Sequence, residues 1–298
     1  MTLADEYRAW LADPWRILAL EWEEVEEALP EADLDAWDQA RSDLDIGDWN
    51  PGTSAFFDWL GEDQNRFGSI HSTKWMDILS SGVWATRVVE ALKPDAAVLE
   101  LGCHGGYWCS WLAARGDRRV VGMDVSGAAI AFGRKLLPVR RGFELVEADI
   151  RTYVPDEAFD CIVSLQTLIY LSRSDDFESH LRHIASMMRP DGLLISVDQY
   201  QRDRLAETGD AFLNAGFTVM AQGLAGGLGA DGEWGAYPGI VFRRAAVPSG
   251  PHLAEVFDLV TQEWEQDFAP FANSGHPDWT TRNLAYFWES GASPFKLV

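Results

Sequence analysis

The sequence predicts an α/β fold, doubly wound around a mainly parallel sheet, and three observations lead to this prediction. Short apolar runs alternate with helical segments from residue 96 onwards. The first of these runs ends at a glycine-rich turn, residues 102–106. Acidic residues stand at the ends of successive runs. Strands that alternate with helices form parallel sheets, because each helix carries the chain back across one face of the sheet.

Seven strands are predicted between residues 91 and 245, with four helices among them. The predicted strands are residues 97–101, 119–124, 143–146, 159–164, 193–197, 217–221 and 240–243. The predicted helices are residues 107–115, 126–137, 175–188 and 203–215. Gly116 is a natural residue to end the first helix, and Ser126 can cap the second. The last two strands are candidates for a hairpin.

Helical segments flank this core on both sides. Residues 1–90 are predicted to be a helical extension that covers the core as a lid, and Asp13-Pro14 is a typical start for one of its helices. Eight of the fourteen tryptophans lie in this region, so aromatic side chains should form much of its core. Residues 246–298 are predicted to be a second helical extension, rich in aromatic residues. The expected domains are therefore 1–90, 91–245 and 246–298.

The net charge of −23 argues against two classes of partner. A strongly acidic surface repels nucleic-acid phosphates and anionic lipid headgroups. No apolar run approaches the ~20 residues that span a bilayer, and the acidic N-terminus is unlike a signal peptide. Three cysteines make no disulfide framework, so a cytoplasmic protein with a small-molecule substrate is expected. The acidity is either a solvated surface or a means of attracting a cationic substrate.

Three carboxylates mark the expected binding site. Glu100 lies near the end of the first strand, Asp124 ends the second, and Asp149 follows the third. Ligands of open α/β sheets bind at the carboxyl ends of the strands. Glycines in the 102–106 turn allow the backbone to approach a ligand closely. A carboxylate after the second strand can accept hydrogen bonds from ribose hydroxyls, and one after the third can accept them from an adenine amino group.

A dinucleotide site is the first rival to this interpretation. Its G-x-G-x-x-G fingerprint, read from Gly102, requires glycine at position 104 and usually at 107. The chain has His104 and Tyr107 at these positions. Glu100 also suits a ligand with a cationic amino acid group better than it suits a pyrophosphate. The sequence therefore favours a nucleoside that carries an amino acid.

These motifs resemble those of class I S-adenosylmethionine (SAM)-dependent methyltransferases of the small-molecule type. Residues 98–106 resemble the first motif of that family, whose usual form is E/D-x-G-x-G-x-G. The resemblance covers roughly residues 70–245 and implies a seven-stranded Rossmann-like methyltransferase fold with SAM as cofactor. Six segments carry it, in order: VLELGCHGG at 98–106, VGMDVS at 121–126, ADI at 148–150, FDCIVSL at 159–165, MRPDGLL at 188–194 and LNAGF at 213–217.

The resemblance also implies roles for individual residues. The first strand and the turn would hold the methionine end of SAM, the second strand the ribose, and the third the adenine. The implied residues are Glu100, Gly102, Cys103, His104 and Gly106 for the methionine end, Asp124 for the ribose, Val125, Asp149 and Ile150 for the adenine, and the Leu165 backbone for the sulfonium side. His104 departs from the family pattern, which has glycine there. It either changes the turn, brings an imidazole close to the sulfonium, or adopts an allowed angle and points away.

Two residues are candidates for catalysis. Many small-molecule members of the family have a histidine after the fourth strand, and Tyr170 stands at that position here. A tyrosine phenol is protonated at neutral pH, so it is a poor base but a good hydrogen-bonding group. His71 precedes the helix that usually covers the cofactor and is the second candidate. His180 and His183 share a helix without evident further ligands, so no metal site is predicted.

Three functions remain open from the sequence. The first is methyl transfer from SAM to a small-molecule acceptor of specialised metabolism, cationic or aromatic, by a monomer or homodimer. The second is another use of SAM on the same fold, either intramolecular cyclisation that releases methylthioadenosine or a SAM-assisted cyclisation. The third is SAM binding without catalysis. The altered turn at His104 and the absence of histidine at position 170 keep the second function open.

Overall fold

The core of the protein is described almost completely by a computed structural model. The described residues are 39, 55–59, 82, 84–86, 88–92, 94–137, 139–224, 227–228, 234–235, 238–248, 250–263 and 296–297. Most of the predicted N-terminal extension, and the C-terminal segment 264–295, lie outside them. The proposed domain limits 1–90, 91–245 and 246–298 therefore stay a prediction.

One large sheet forms the centre of the molecule. Its strands are β1 (Val98–Leu101), β2 (Val120–Asp124), β3 (Phe143–Glu147), β4 (Phe159–Leu165), β5 (Met188–Val197), β6 (Phe217–Leu224), β9 (Pro238–Arg244) and β10 (Lys296–Leu297). Two short strands, β7 (Gly227–Leu228) and β8 (Trp234–Gly235), pair with each other in a separate ribbon.

The strand order of the large sheet is β10-β6-β9-β5-β4-β1-β2-β3. The strands β3, β2, β1, β4 and β5 are all parallel to their neighbours, whereas β9 is antiparallel to both β5 and β6. The prediction of a doubly wound, mainly parallel sheet of seven strands is thus confirmed. The two-residue strand β10 adds an eighth at the edge beside β6, where the sequence predicted only a helical tail.

Helices cover both faces of the sheet. They are α1 (Tyr107–Ala113), α2 (Gly127–Leu136), α3 (Leu168–Leu171), α4 (Phe177–Ser186), α5 (Leu205–Asn214), preceded by a 3-10 turn at Arg202–Arg204, and α6 (Leu253–Glu263). The predicted cap of α2 is present, because the Ser126 hydroxyl accepts a hydrogen bond from the Ala129 amide at 3.1 Å. Among the described residues, no helix has the length and apolarity to cross a membrane.

Side chains of β1 alternate between two buried clusters, as period-2 geometry requires. Val98 belongs to the cluster under α1 and α2, whereas Leu99 and Leu101 belong to the cluster under α4, α5 and α6. Glu100 follows the same alternation, so its side chain lies on the face of Val98 and α1. This alternation places a carboxyl group among apolar side chains.

The second cluster has an aromatic centre at Phe212. Its ring is only 1% exposed and stacks on Phe242, with 4.2 Å between ring centroids. Three further rings form T-shaped pairs with it, with centroid distances of 5.6 Å for Phe177, 5.9 Å for Tyr200 and 6.0 Å for Phe217. These contacts tie α5 to β6, β9 and α4.

We expect Phe212→Ala to lower the free energy of unfolding by about 3–5 kcal/mol, because it removes a buried ring and leaves a cavity. Urea denaturation followed by circular dichroism measures the change. Leu259→Ala is the control, since that side chain is 46% exposed on α6. Equal effects of the two substitutions would contradict the proposed role of the ring.

Candidate cofactor site

The turn between β1 and α1 closely approaches its neighbours at two glycines. Gly102 has a φ of 64° and Gly106 a φ of 77°, a region that favours glycine. A Cβ atom on Gly102 would lie 2.2 Å from Thr167 Oγ1, and one on Gly106 would lie 2.2 Å from Leu145 Cδ2. Neither position accepts a side chain. The turn is therefore packed between the ends of β3 and β4.

His104 adopts a left-handed backbone conformation, with a φ of 51°. Its amide donates a hydrogen bond to Asp124 Oδ2 at 2.7 Å. The imidazole meets the Phe57 ring edge-on, with 6.2 Å between centroids. The residue thus takes a backbone angle that glycine adopts easily, and its ring packs against the N-terminal extension.

Asp124 connects the glycine turn to the start of α2. It is 7% exposed, and besides His104 its carboxylate accepts a hydrogen bond from the Ser126 amide at 2.9 Å. Burial raises its pKa to about 6, although these amides oppose the shift. The nearby Asp58 carboxylate raises the pKa further. The group is consequently held in place by backbone donors but lacks a neutralising charge.

Glu100 is even more strongly desolvated. It is 5% exposed, and burial raises its pKa to about 7. The Cys109 thiol donates a hydrogen bond to its Oε2 atom, with 2.7 Å between sulfur and oxygen. Among the described residues, neither Glu100 nor Asp124 forms an ion pair with Lys, Arg or His. Two buried carboxyl groups therefore lie without a compensating cation beside the glycine turn.

Asp149 differs from these two because it already has a cationic partner. Arg151 binds its carboxylate through Nε at 2.9 Å and Nη2 at 2.5 Å, and the Arg151 amide donates at 2.8 Å. Partial burial favours a higher pKa, but these bonds and the charge of Arg151 outweigh it and hold the pKa below the usual value. Ile150 is buried, and Val125 is half-buried. The Ala148 amide ties this segment to the Asp124 carbonyl oxygen at 2.8 Å.

The segment after β4 forms the opposite wall. Leu165 is buried, and Gln166 has a φ of 59°. The Tyr170 ring stands at 88° to Phe57, with 6.0 Å between centroids. Phe57 therefore contacts both the glycine turn, through His104, and the loop that carries Tyr170.

A buried carboxylate at the end of β5 fixes this wall. Asp198 is fully buried and accepts hydrogen bonds from the Ser164 hydroxyl at 3.1 Å and the Ser196 hydroxyl at 2.7 Å. The Ile169 amide approaches it at 3.3 Å, and the Leu168 amide donates to Ser164 Oγ at 3.0 Å. Burial raises the pKa of Asp198, against the effect of these donors. The start of α3 is thereby anchored to β5.

Three residues of this arrangement were not singled out from the sequence. Asp198 ends β5 as Asp124 ends β2, so the same rule of acidic residues at strand ends could have identified it. Phe57 and Asp58 carry no such signal, because their contacts cross from the N-terminal extension to the core. The Ser126 hydroxyl donates to Asp58 Oδ1 at 2.8 Å. His71, the second catalytic candidate, lies outside the described residues.

The two histidines of α4 are placed apart from the glycine turn. His183 Nε2 lies 2.8 Å from the Tyr153 carbonyl oxygen. His180 lies near Asp149 and Arg151, and burial lowers its pKa. Within the part of the chain that the structure describes, no group of three or more His, Cys, Asp or Glu residues could hold a metal ion.

Comparison with known proteins agrees with this geometry. The model of a methyltransferase domain family matches residues 98–192. The trans-aconitate 2-methyltransferase of Escherichia coli O139:H28 is 37% identical over 98 residues, which are 33% of this chain and 36% of that protein. The enzyme of the same name from Shigella flexneri gives the same values. The chain thus aligns with about a third of the length of these curated relatives.

Two solved structures share the fold. The N-methyltransferase NodS from Bradyrhizobium japonicum WM9, in complex with S-adenosyl-L-homocysteine, superposes with a TM-score of 0.51 at 17% identity, covering 64% of this chain and 98% of that one. A Haloferax volcanii protein in complex with the Trm112 methyltransferase activator superposes with a TM-score of 0.51 at 17% identity. The superposition covers 63% of this chain and 97% of that one. The strand order is that of a Rossmann-like α/β methyltransferase fold. Residues 98–192 match the methyltransferase domain family, over about a third of the chain.

The described residues fit SAM as the cofactor. The cofactor carries an ammonium group and two ribose hydroxyls, and the site offers two buried carboxylates that have no cationic partner among the described residues. The glycines at 102 and 106 allow the turn to pack closely against Thr167 and Leu145. We expect Glu100 to hold the ammonium group and Asp124 to hold the ribose hydroxyls.

Asp124→Ala should weaken SAM binding by at least about tenfold, because buried hydroxyls lose a charged acceptor and two backbone amides lose their partner. Isothermal titration calorimetry gives the dissociation constant. Asp160→Ala is the control, since that carboxylate pairs with Arg189 at the other end of β4. Wild-type affinity in the Asp124 variant would contradict the placement of the ribose.

Binding should also depend on pH. The pKa of Glu100 is about 7 and that of Asp124 about 6 in the free protein. A cationic ligand favours the carboxylate, so affinity is lost as the pH falls through these values. We expect the dissociation constant of S-adenosylhomocysteine to rise about tenfold between pH 7.5 and pH 6. Glu100→Gln should flatten most of this dependence, and an unchanged profile in that variant would rule out Glu100 as its source.

Proposed function

We propose that the whole chain is a SAM-dependent methyltransferase whose acceptor is a small molecule of the kind modified in specialised metabolism. The observation that carries this proposal is a pair of buried carboxyl groups beside the glycine turn, Glu100 and Asp124, which form no ion pair within the described part of the chain. The family match over residues 98–192 supports it. The trans-aconitate 2-methyltransferases, which are 37% identical to this chain over 98 residues, are named for a small-molecule substrate.

Methyl transfer requires positioning more than acid–base chemistry. When bound, SAM supplies an electrophilic methyl group on its sulfonium. Glu100 would hold the ammonium group of the amino acid end and Asp124 the ribose hydroxyls, and the Leu165 backbone would line the side towards the acceptor. The rings of Phe57 and Tyr170, with 6.0 Å between centroids, would exclude water on that side. Holding two reactants in line in a dry site lowers the barrier without a dedicated base.

The acceptor is proposed to lie beyond β4, between Tyr170 and the extensions. Tyr170 would orient it by a hydrogen bond or by its ring face, and His71 stays a second candidate for proton removal. The rings of Phe57 and Tyr170, together with the acidity of the chain, suit a cationic or an aromatic acceptor. The lid role of the N-terminal extension is supported by the contacts of Phe57 and Asp58 with the cofactor loops.

Location and assembly belong to the same proposal. All three cysteines are free and buried, which suits a reducing cytoplasm. A closed site of this kind can function in a monomer or in a homodimer. The net charge of −23 disfavours nucleic-acid phosphates, so the proposed partner is a small molecule.

The function is tested by incubating the purified protein with SAM and following products by mass spectrometry. We expect SAM to remain intact alone and S-adenosylhomocysteine to be released when amine, phenol, carboxylate and carbon acceptors are screened. Glu100→Gln should reduce that release strongly. Methylthioadenosine formed from SAM alone would instead establish intramolecular cyclisation. Binding without any product across the panel would favour a non-catalytic SAM-binding protein.

A further inference from the structure

Two thiols and a carboxyl group form a closed cluster beneath the glycine turn. Cys103 and Cys109 are both buried, and Glu100 lies against them. A Cβ atom on Gly122 would lie 2.8 Å from Cys103 Sγ and 3.0 Å from Cys109 Sγ. The absence of a side chain on Gly122 therefore makes room for both sulfur atoms. Burial beside Glu100 raises the pKa of both thiols, so each remains a protonated group.

The two thiols have different partners. Cys103 Sγ points to the His104 carbonyl oxygen at 3.6 Å, a local contact within the turn. Cys109 Sγ reaches across from α1 to Glu100 Oε2 at 2.7 Å. The Cys109 backbone amide also lowers the pKa of Glu100, by a smaller amount than the thiol, and among the described residues no other side chain donates to this carboxyl group. A buried carboxylate needs a donor to remain charged.

We propose that Cys109 is a positioning residue of the cofactor site, whose thiol holds the Glu100 carboxylate ready for the ammonium group of the cofactor. This inference rests on the proposed function. The thiol donates one hydrogen bond and carries no charge, so it supports the carboxylate without competing for it as Arg151 competes for Asp149. A cation at the position of Cys109 would neutralise Glu100 and remove its attraction for the ligand.

The electrostatic surroundings of Glu100 agree with this role. Asp124 on β2 is the nearby carboxylate and disfavours the charged form of Glu100. Cys103 in the turn and Cys109 on α1 complete the titratable groups that face it. Its strand neighbours on β2 and β4 are Gly122 and Val163, which do not titrate. The Cys109 thiol is the side-chain contact that favours the carboxylate against burial and Asp124.

Two substitutions separate this role from simple packing. Cys109→Val removes the donor and enlarges the side chain by about a methyl group, whereas Cys109→Ser keeps a donor and reduces the volume. If Cys109 acts as a donor, the valine variant loses affinity only for the ligand with the ammonium group, and the serine variant is close to wild type. If it only fills space, a change of volume affects both ligands alike. Cys161→Val and Cys161→Ser form the matched control, because Cys161 is buried in β4 and its thiol donates to the Ile162 carbonyl oxygen at 3.8 Å.

The readout uses two thioether nucleosides that differ only in the amino acid end. S-adenosylhomocysteine carries the ammonium group, and methylthioadenosine lacks it, so the ratio of their dissociation constants isolates Glu100 from Asp124. Calorimetry between pH 6 and pH 8 gives this ratio for each variant. Circular dichroism melting curves confirm that each variant is folded.

We expect Cys109→Val to weaken S-adenosylhomocysteine binding about tenfold at pH 7.5 and to shift the midpoint of its pH dependence upwards. Methylthioadenosine binding should stay within about twofold. Cys109→Ser should stay within about threefold of wild type for both ligands, and the Cys161 variants should match wild type. A wild-type ratio in the valine variant, or a loss confined to the serine variant, would overturn the inference. Failure of the wild-type protein to bind either nucleoside would overturn the proposed function, and this inference with it.

Discussion

The structure around the glycine turn depends on two carboxyl groups, Glu100 and Asp124, that are buried without an ion-pair partner in the part of the chain that the structure describes. Burial alone favours their neutral forms, so each needs hydrogen-bond donors from the chain. Asp124 receives the amides of His104 and Ser126, and Glu100 receives the Cys109 thiol. A ligand that supplies an ammonium group and hydroxyls completes what these donors leave unsatisfied. The desolvated carboxyl groups of the free protein are therefore the expected source of the affinity for such a ligand.

The same carboxylates organise the loops around them. Asp124 joins the turn after β1 to the start of α2, because it accepts hydrogen bonds from the His104 and Ser126 amides. A shift of the Asp124 carboxylate would therefore also shift the backbone at His104. Asp198, at the end of β5, has a similar structural role. It fixes the loop before Tyr170 by accepting hydrogen bonds from the Ser164 hydroxyl and the Ile169 amide. Phe57 then bridges the two loops from the N-terminal extension. The loops after β1 and β4 are thus held by separate buried carboxylates, and Phe57 contacts both of them.

The arginine beside Asp149, Arg151, changes the electrostatic character of this carboxylate compared with Asp124. Asp124 ends β2, whereas Asp149 lies two residues beyond the end of β3, and Arg151 already binds both of its oxygen atoms. Such a carboxylate can still accept a hydrogen bond from a neutral amino group, because each oxygen has more than one lone pair. It offers little attraction to a cation. The site is consequently most negative at β1 and β2, where the amino acid and ribose ends are expected.

The fold class and the seven core strands could be predicted from the sequence, because alternating apolar periods are local patterns. Acidic residues at strand ends led to the cofactor residues, whose roles stay a prediction. The strand order was decided by the tertiary structure. The strained turn was visible at Gly102 and Gly106, and the cap at Ser126. The contacts of Phe57 and Asp58 with His104, Tyr170 and Ser126 were decided by the tertiary structure alone, as was the bond from Cys109 to Glu100. Some of these contacts join elements that are distant in the chain, and the bond from Cys109 to Glu100 joins the facing sides of a helix and a strand. Their geometry depends on how the elements pack, and a local sequence pattern does not contain that information.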